Sequence, residues 1–273
     1  MNLGALALVV RCGGDFVALG VATFAGPVCA AMLNGALLLR ARPALRPTLS
    51  DLDRSDLART LGRALRYFVL TVLAVVSFHS HRAILARRVG PESVAEYDLA
   101  LRLFTFAPTL TGLALAPLWA AYGEARARGD AQWIARTFRR SLAWGLAFNI
   151  PVAVGLALLH RPLVRAWVHD AVELPPALVW GWAFWAIASA AHAPLAVLYY
   201  GLRDMRFQAM CGVASAALSV TLAVALCGPL GAGGVIWGTT IAQVLFLTTP
   251  FALRASTLLA RLDAPLSARG GTS

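Results

Sequence analysis

The sequence contains no lysine and little negative charge. All 24 basic residues are arginine, there are 13 acidic residues, and only 14% of the 273 residues are charged. A soluble domain carries about 25% charged residues, whereas 59% of this chain is hydrophobic. Because no soluble core of this size can enclose so much apolar surface, the composition predicts a protein of the lipid bilayer.

Motifs for catalysis and for metal binding are also missing. The cysteines show neither a CxxC nor a Cys/His spacing, and their apolar surroundings indicate small buried side chains; they are Cys12, Cys29, Cys211 and Cys227. The chain has no HExxH, Walker loop or Ser/His/Asp arrangement. The sequence therefore predicts a protein that is not an enzyme, with no catalytic residue, no metal site and no cofactor.

The formal charge of +11 does not indicate a nucleic-acid partner. Such a partner requires a basic stripe on a folded soluble surface. Here the arginines are spread over the segments between apolar runs, so we expect the bilayer, and no nucleic acid, as the partner.

Seven apolar runs are long enough to cross a membrane. A helix that rises 1.5 Å per residue needs about 20 apolar residues to cross roughly 30 Å of hydrocarbon. The predicted spans are 16–39, 67–86, 99–121, 142–159, 177–200, 209–227 and 231–253. We therefore expect an all-α, polytopic membrane helix bundle with about seven transmembrane helices.

Arginine is concentrated on alternate connections between these runs. Seventeen of the 24 arginines follow the first, third, fifth and seventh runs, and seven lie on the opposite side. Because arginine is retained on the cytoplasmic side, the first span is predicted to start outside and the C-terminus to be cytoplasmic. The apolar segment 1–10 is only about half of a crossing. We therefore expect that preceding helices are missing from this sequence.

Two cytoplasmic connections are predicted to form helices on the membrane surface. In the first, Leu57, Leu61 and Leu65 repeat every four residues beside arginines, which is typical of an interfacial amphipathic helix. In the second, Ile134 and Phe138 share one face, with arginines placed to contact anionic lipid. A solvated basic loop is the alternative for each.

The third and seventh runs have unusual compositions. Pro108 and Pro117 interrupt the third, and in a membrane helix neighbouring groups can satisfy the backbone carbonyls that they release. The seventh begins with GAGGVIWGTT at 231–240. No strand precedes these glycines, so they indicate close helix packing and not a dinucleotide site.

Isolated polar and aromatic residues inside the runs have structural interpretations. Single polar residues are expected to form helix-to-helix hydrogen bonds; these are Asn149, His192 and Gln243. Three tryptophans at one end of the fifth run are expected to form an interfacial belt; these are Trp180, Trp182 and Trp185.

The candidate binding site combines ionisable residues around the turn at residues 90 and 91. Its predicted substrate-binding residues are His79, Arg82, Asp98 and Arg102. His79 and Arg82 share a face of the second span, and Asp98 and Arg102 can pair along the third. His81 lies about 200° from His79 and is expected to point elsewhere.

Two interpretations of these arginines remain open. Arg82 and Arg102 could line a water-filled cavity and attract a phosphate-bearing substrate through bidentate hydrogen bonds. Alternatively, Arg82 could extend to the lipid head groups, and Arg102 could form a structural pair with Asp98.

Three segments carry a resemblance to a known family. ARRVGPESVAEYDLALRLF, LAPLWAAYGEARARGD and FRRSLAWGL resemble the seventh to ninth helices of bacterial polysaccharide flippases, the O-antigen and exopolysaccharide translocases of the multidrug/oligosaccharidyl-lipid/polysaccharide superfamily. YYGLRDMRFQA and GAGGVIWGTTIAQ resemble parts of that family's last three helices. The single residues that match the family patterns are Gly90, Glu92, Tyr97, Pro117, Trp119, Glu124, Gly129 and Asp130.

The resemblance implies an architecture, a substrate and a location. In this family two six-helix lobes enclose a cavity, and alternating access moves a lipid-diphosphate-linked glycan to the outer leaflet. The implied parts of this chain are a remnant of the first lobe at 1–40, a cytoplasmic linker with an amphipathic helix at 41–66, the second lobe at 67–253 and a cytoplasmic tail at 254–273. The implied role is flipping of lipid-linked oligosaccharide in the cell inner membrane. The glycan would serve lipopolysaccharide, O-antigen or exopolysaccharide biosynthesis. Candidate protein partners are a polysaccharide polymerase and glycosyltransferases.

Two alternative functions remain. A cation-coupled multidrug exporter of the same superfamily would require a membrane-embedded acid, which the deep parts of these spans lack. The other alternative is a non-transporting scaffold or inactive fragment in a glycan assembly complex.

Overall fold

The computed structural model describes residues 16–43, 80–168, 172–202 and 205–263, together with positions 57, 61, 62, 64, 65, 68 and 72. These residues are almost entirely helical, and none of them forms a β-strand. The backbone divides into two compact units, Met1–Arg63 and Ala64–Ser273.

The described part of the first unit contains a long helix, α1 (Phe16–Ala41), with Pro27 inside it. The predicted span 16–39 is therefore helical. Large apolar side chains along α1, among them Met32 and Leu33, are exposed, as expected for a lipid-facing helix. Downstream, Leu57 and Leu61 are also helical and exposed, and the amphipathic linker stays a prediction.

The second unit is a bundle of helices. Its elements are α2 (80–88), α3 (Pro91–Phe104), α4 (Phe106–Leu115), α5 (Leu118–Arg128), α6 (Ala131–Val168), α7 (Pro176–Gly201), α8 (Met205–Leu230), α9 (Ala232–Gln243), a π-helical segment (Val244–Thr248) and α10 (Thr249–Asp263).

Four stretches of the described residues are long and apolar enough to cross a bilayer, and a bent pair supplies a fifth. The four are Ala131–Val168, Pro176–Gly201, Phe207–Leu230 and Ala232–Thr257, and the pair is Pro91–Phe104 with Phe106–Arg128. The chain is therefore an all-α, multi-pass membrane helix bundle. Most of the predicted span 67–86 lies outside the described residues, so the total of seven stays a prediction.

The predicted span 99–121 is broken and not one straight helix. Helices α3 and α4–α5 meet at a bend of 43° at Thr105. Pro108 has no N–H to donate to the carbonyl of Phe104, and Pro117 removes a second helical hydrogen bond. The hydroxyls of Thr105 and Thr109 each donate a 2.7 Å bond to a carbonyl four residues earlier, a bonding pattern that often bends helices.

The second predicted surface helix is part of a longer helix. Gly129, with φ 74°, ends α5, and Oδ1 of Asp130 accepts a 2.9 Å bond from the amide of Trp133, which starts α6. This helix continues without interruption through the span 142–159 to Val168. Ile134 and Phe138 do share a face, but they are buried in the protein core. The prediction that this face lies on lipid is wrong.

Close packing of α9 depends on its glycines, as predicted. A Cβ on Gly233 would lie 2.8 Å from Cβ of Ala177 in α7, and a Cβ on Gly238 would lie 2.8 Å from Cβ of Leu222 in α8. A Cβ on Gly234 would collide with the backbone carbonyl of Leu226. The helix therefore touches two neighbours at backbone distance.

One member of the predicted tryptophan belt belongs to the core. The ring of Trp182 lies 5.2 Å from the rings of both Tyr97 and Trp185, and its side chain is fully buried, whereas Trp180 is 39% exposed. The belt prediction is wrong for Trp182, because one side of α7 faces helices and not lipid. Trp182 instead packs beside the turn that carries the candidate site.

Candidate functional site

The candidate site is built by a tight turn between α2 and α3. Gly90 adopts φ 127°, which an L side chain rarely adopts. Pro91 starts α3, where its missing N–H is not needed. The hydroxyl of Ser93 donates a 2.6 Å bond to the carbonyl of Gly90. These contacts reverse the chain and place α2 beside α3.

Across this turn, Arg82 pairs with Asp98. Nε of Arg82 donates to Oδ1 of Asp98 at 2.8 Å, with the two side chains 36% and 35% exposed. No other described residue forms a hydrogen bond with the terminal guanidinium nitrogens of Arg82. Asp98 therefore orients the guanidinium and leaves its outer edge accessible.

The predicted pairing of Asp98 with Arg102 is absent from the described residues. Arg102 is exposed in the last turn of α3, while Asp98 reaches across to Arg82. Positions 98 and 102 still share a helix face, so Arg102 remains on the same side as the pair. A cation near a helix C-terminus is also favoured by the helix dipole. The fourth predicted residue, His79, lies outside the described residues.

The structure adds a buried polar group, next to the pair, that the sequence reasoning missed. His81 is fully buried and its Nε2 lies 3.1 Å from Oγ of Ser219 and 3.5 Å from Oγ1 of Thr239. Its Nδ1 lies 3.4 Å from the hydroxyl of Tyr97. These four residues, called the His81 cluster below, join α2, α3, α8 and α9.

The sequence predicts that His81 points away from the candidate site, and the structure places its side chain inside the helix bundle. Tyr97 and Asp98 are consecutive, as are His81 and Arg82, so each helix contributes one buried and one half-exposed polar residue. This adjacency is the signal in the sequence that could have indicated the cluster. Ser219 and Thr239 give no comparable signal, because small hydroxyl residues are common in apolar helices.

Two of the polar residues in the bundle, Asn149 and Gln243, form the predicted helix-to-helix bonds. Nδ2 of Asn149 donates to Oγ1 of Thr111 at 2.7 Å, and Nε2 of Gln243 donates to Oγ of Ser189 at 3.0 Å. His192 packs edge-on against Phe251, with ring centroids 5.1 Å apart. These contacts stabilise the bundle away from the turn.

The chemistry available at the turn is recognition of an anion. An accessible guanidinium, oriented by a carboxylate, and a second arginine on the same side suit a phosphate. Among the described residues, no group of three His, Cys, Asp or Glu side chains is arranged to hold a metal ion.

Comparisons of the chain with protein-family models, curated proteins and solved structures found no match.

Proposed function

We propose that this protein translocates a lipid-diphosphate-linked oligosaccharide across the cell inner membrane by alternating access, for surface polysaccharide biosynthesis. The supporting observation is the Arg82–Asp98 pair: a half-exposed guanidinium, held at Nε, in a multi-pass helix bundle. The resemblance of the flanking segments to polysaccharide flippases indicates the class of substrate.

The electrostatics of the turn favour a diphosphate. Arg82 is bound by one carboxylate through Nε, so both terminal nitrogens can donate to phosphate oxygens as a planar fork. Arg102 adds a second cation, and arginine remains charged at any physiological pH. A neutral drug would gain nothing from this arrangement, which separates the flippase from an exporter of uncharged compounds.

The bent helices support movement of the bundle. The 43° break at Thr105 lies one residue beyond the end of α3, and α6 and α7 contain prolines at 151, 162 and 194. Interrupted helices beside a polar site are typical of transporters that change shape around their substrate.

Arginine substitutions at the chromosomal locus test the proposal. Arg82→Ala and Arg102→Ala should each reduce surface glycan and cause lipid-linked oligosaccharide to accumulate. Arg82→Lys should export more glycan than Arg82→Ala but less than the wild type, because lysine lacks the planar fork. Arg88→Ala, an exposed arginine at the end of α2, is the matched control. Membrane levels of each variant are measured by immunoblot. Wild-type glycan export from the Arg82→Ala/Arg102→Ala double variant would contradict the proposal.

Orientation is tested separately by accessibility of single cysteines. In a variant without the native cysteines, Arg128→Cys should react with a membrane-impermeant maleimide only after the cells are opened, and Arg88→Cys should react in intact spheroplasts. This pattern is expected if the α5–α6 connection and the C-terminus are cytoplasmic. The reverse labelling pattern would contradict the proposed orientation.

A further inference from the structure

Helix α6 is longer than a membrane crossing requires. Its 38 residues extend over about 57 Å at 1.5 Å per residue, whereas the hydrocarbon core is about 30 Å thick. No arginine, aspartate or glutamate lies between Arg140 and Arg161, and these two residues are about 32 Å apart along the helix. Because this distance matches the hydrocarbon thickness, Arg140 lies at the level of the lipid head groups. The first turns of α6 lie outside the hydrocarbon.

One side of α6 at this level is exposed and basic. Arg136, Arg140 and Trp144 follow one another every four residues, so they lie along the same side of the helix, and all three are exposed. Ile134 and Phe138, two residues before and after Arg136, lie on the opposite side and are buried in the protein core. The exposed side is called the basic face of α6 below.

The arginine side chains are directed away from the apolar part of the helix. Nε of Arg136 donates a 3.4 Å bond to the carbonyl of Gln132. Beside the basic face, Nε of Arg139 donates a 3.3 Å bond to the carbonyl of Ala135. Both acceptors lie four residues nearer the start of α6. The bonds use Nε, so the terminal nitrogens of each guanidinium are directed toward the head-group region and can donate elsewhere.

The positive charge of this segment is not balanced by the protein around it. The two carboxylates in the preceding residues are already engaged: Glu124 lies 3.7 Å from Arg128, and Asp130 accepts the amide of Trp133. None of the arginines at 136–140 forms an ion pair with another described residue. Like charges three and four residues apart in a helix repel each other. An external anion at the basic face therefore stabilises this part of α6.

We propose that the basic face of α6 is a binding site for an anionic phospholipid. Arg136 and Arg140 bind the phosphate of the head group through charge-assisted hydrogen bonds. Trp144 is 77% exposed and lies one turn further into the membrane, where tryptophan is favoured, so it contacts the first part of an acyl chain. A zwitterionic lipid has an ammonium group that offsets its own phosphate, and a face without a carboxylate gives this ammonium no partner. The site does not rest on the proposed function. Only its assignment to the cytoplasmic leaflet depends on the proposed orientation.

The lipid preference is measured by native mass spectrometry of the full chain in detergent. The probes are phosphatidylglycerol and phosphatidylcholine with identical acyl chains, and the wild-type protein should retain the first more strongly. One arginine near an anionic surface contributes about 5-fold in affinity, so Arg136→Gln/Arg140→Gln should lower phosphatidylglycerol retention by about 25-fold. Arg128→Gln is the matched control, because Arg128 is an exposed arginine close in sequence that has a carboxylate partner. It should keep the wild-type preference.

The position of the lipid is measured by photocrosslinking. Phosphatidylglycerol with a diazirine near the carbonyl of one acyl chain should label peptides that contain residues 140–148, and the corresponding phosphatidylcholine should label them far less. Trp144→Ala should lower the yield. Trp167→Ala is the control, because Trp167 is an exposed tryptophan at the other end of α6. Labelling confined to other helices would overturn the proposed position.

The competing ligands are distinguished by displacement. Equal retention of the two lipids by the wild-type protein would overturn the inference, and this measurement needs no variant to fold. Displacement of phosphatidylglycerol by an equimolar short-chain prenyl diphosphate would assign the basic face to the transport substrate. Displacement by equimolar inorganic phosphate would make it a site for free anions. Either result would overturn the phospholipid site. Selective retention that is lost in Arg136→Gln/Arg140→Gln supports the site even if Arg82→Ala/Arg102→Ala exports glycan normally, so the two proposals fail separately.

Discussion

Arg82 donates a 2.8 Å bond from Nε to Oδ1 of Asp98, across the turn between two helices. Both side chains are more than one third exposed, so the bond contributes little to stability. An accessible ion pair of this kind typically contributes about 0–1 kcal/mol. Its main consequence is the orientation of the guanidinium.

A double-mutant cycle on this pair should separate stability from binding. We expect Arg82→Ala, Asp98→Ala and the double variant to give a coupling free energy below about 1 kcal/mol in thermal unfolding. Binding of a short-chain prenyl diphosphate, measured by isothermal titration calorimetry, should fall strongly in Arg82→Ala and less in Asp98→Asn. Equal binding by Arg82→Ala and wild type would show that the pair is only structural.

Replacement of Gly90 should damage the turn. Gly90→Ala forces an L side chain to adopt φ 127°, a strain that costs about 1–3 kcal/mol. We expect a lower Tm in nanodiscs and weaker prenyl-diphosphate binding, because α2 and α3 lose their alignment. Gly155→Ala, in α6 with no atom within 4 Å of the added Cβ, is the control and should keep the wild-type Tm or exceed it. Identical behaviour of the two variants would contradict the role given to Gly90.

Addition of one methyl group at the α8–α9 contact should lower the stability of the protein. Gly234→Ala places a Cβ against the carbonyl of Leu226 and 2.9 Å from the amide nitrogen of Cys227, and such overpacking costs about 1–3 kcal/mol. Gly228→Ala has no atom within 4 Å of the new Cβ and should gain up to about 1 kcal/mol in helix propensity. The thermal unfolding midpoints should therefore move in opposite directions, and a drop of equal size in both would refute the close-packing account.

Replacement of Trp182 and of Trp180 should change the free energy of unfolding by different amounts. Trp182→Ala removes a fully buried ring between Tyr97 and Trp185 and should cost about 3–5 kcal/mol. Trp180→Ala truncates an exposed ring and should change the unfolding free energy by about 0.5 kcal/mol or less. Urea or SDS titration of purified protein measures both. A similar cost for the two variants would indicate that Trp182 faces lipid, as the belt interpretation held.

The contacts that could be predicted from the sequence are local ones. Pro108 and Pro117 mark the broken helix because proline removes a backbone donor in any surroundings. Arg82 and Asp98 were expected to come together because only a short turn separates their helices. The partners of Ile134 and His81 could not be predicted in the same way. Ile134 packs in a cluster with Tyr199 and Phe251, and His81 meets Ser219 and Thr239, more than 130 residues away.

The length of the apolar runs and the scarcity of charge predict an all-α membrane bundle, because a run of about 20 apolar residues matches a membrane-crossing helix, in which every backbone group is bonded internally. The same runs do not indicate which side of each helix faces lipid and which faces protein, since both surroundings are apolar. Packing of the helices determined that Trp182 and His81 are internal, and it brought the hydroxyls of Tyr97, Ser219 and Thr239 to the imidazole of His81. Such a cluster depends on distances between helices, which have no counterpart in the order of the residues.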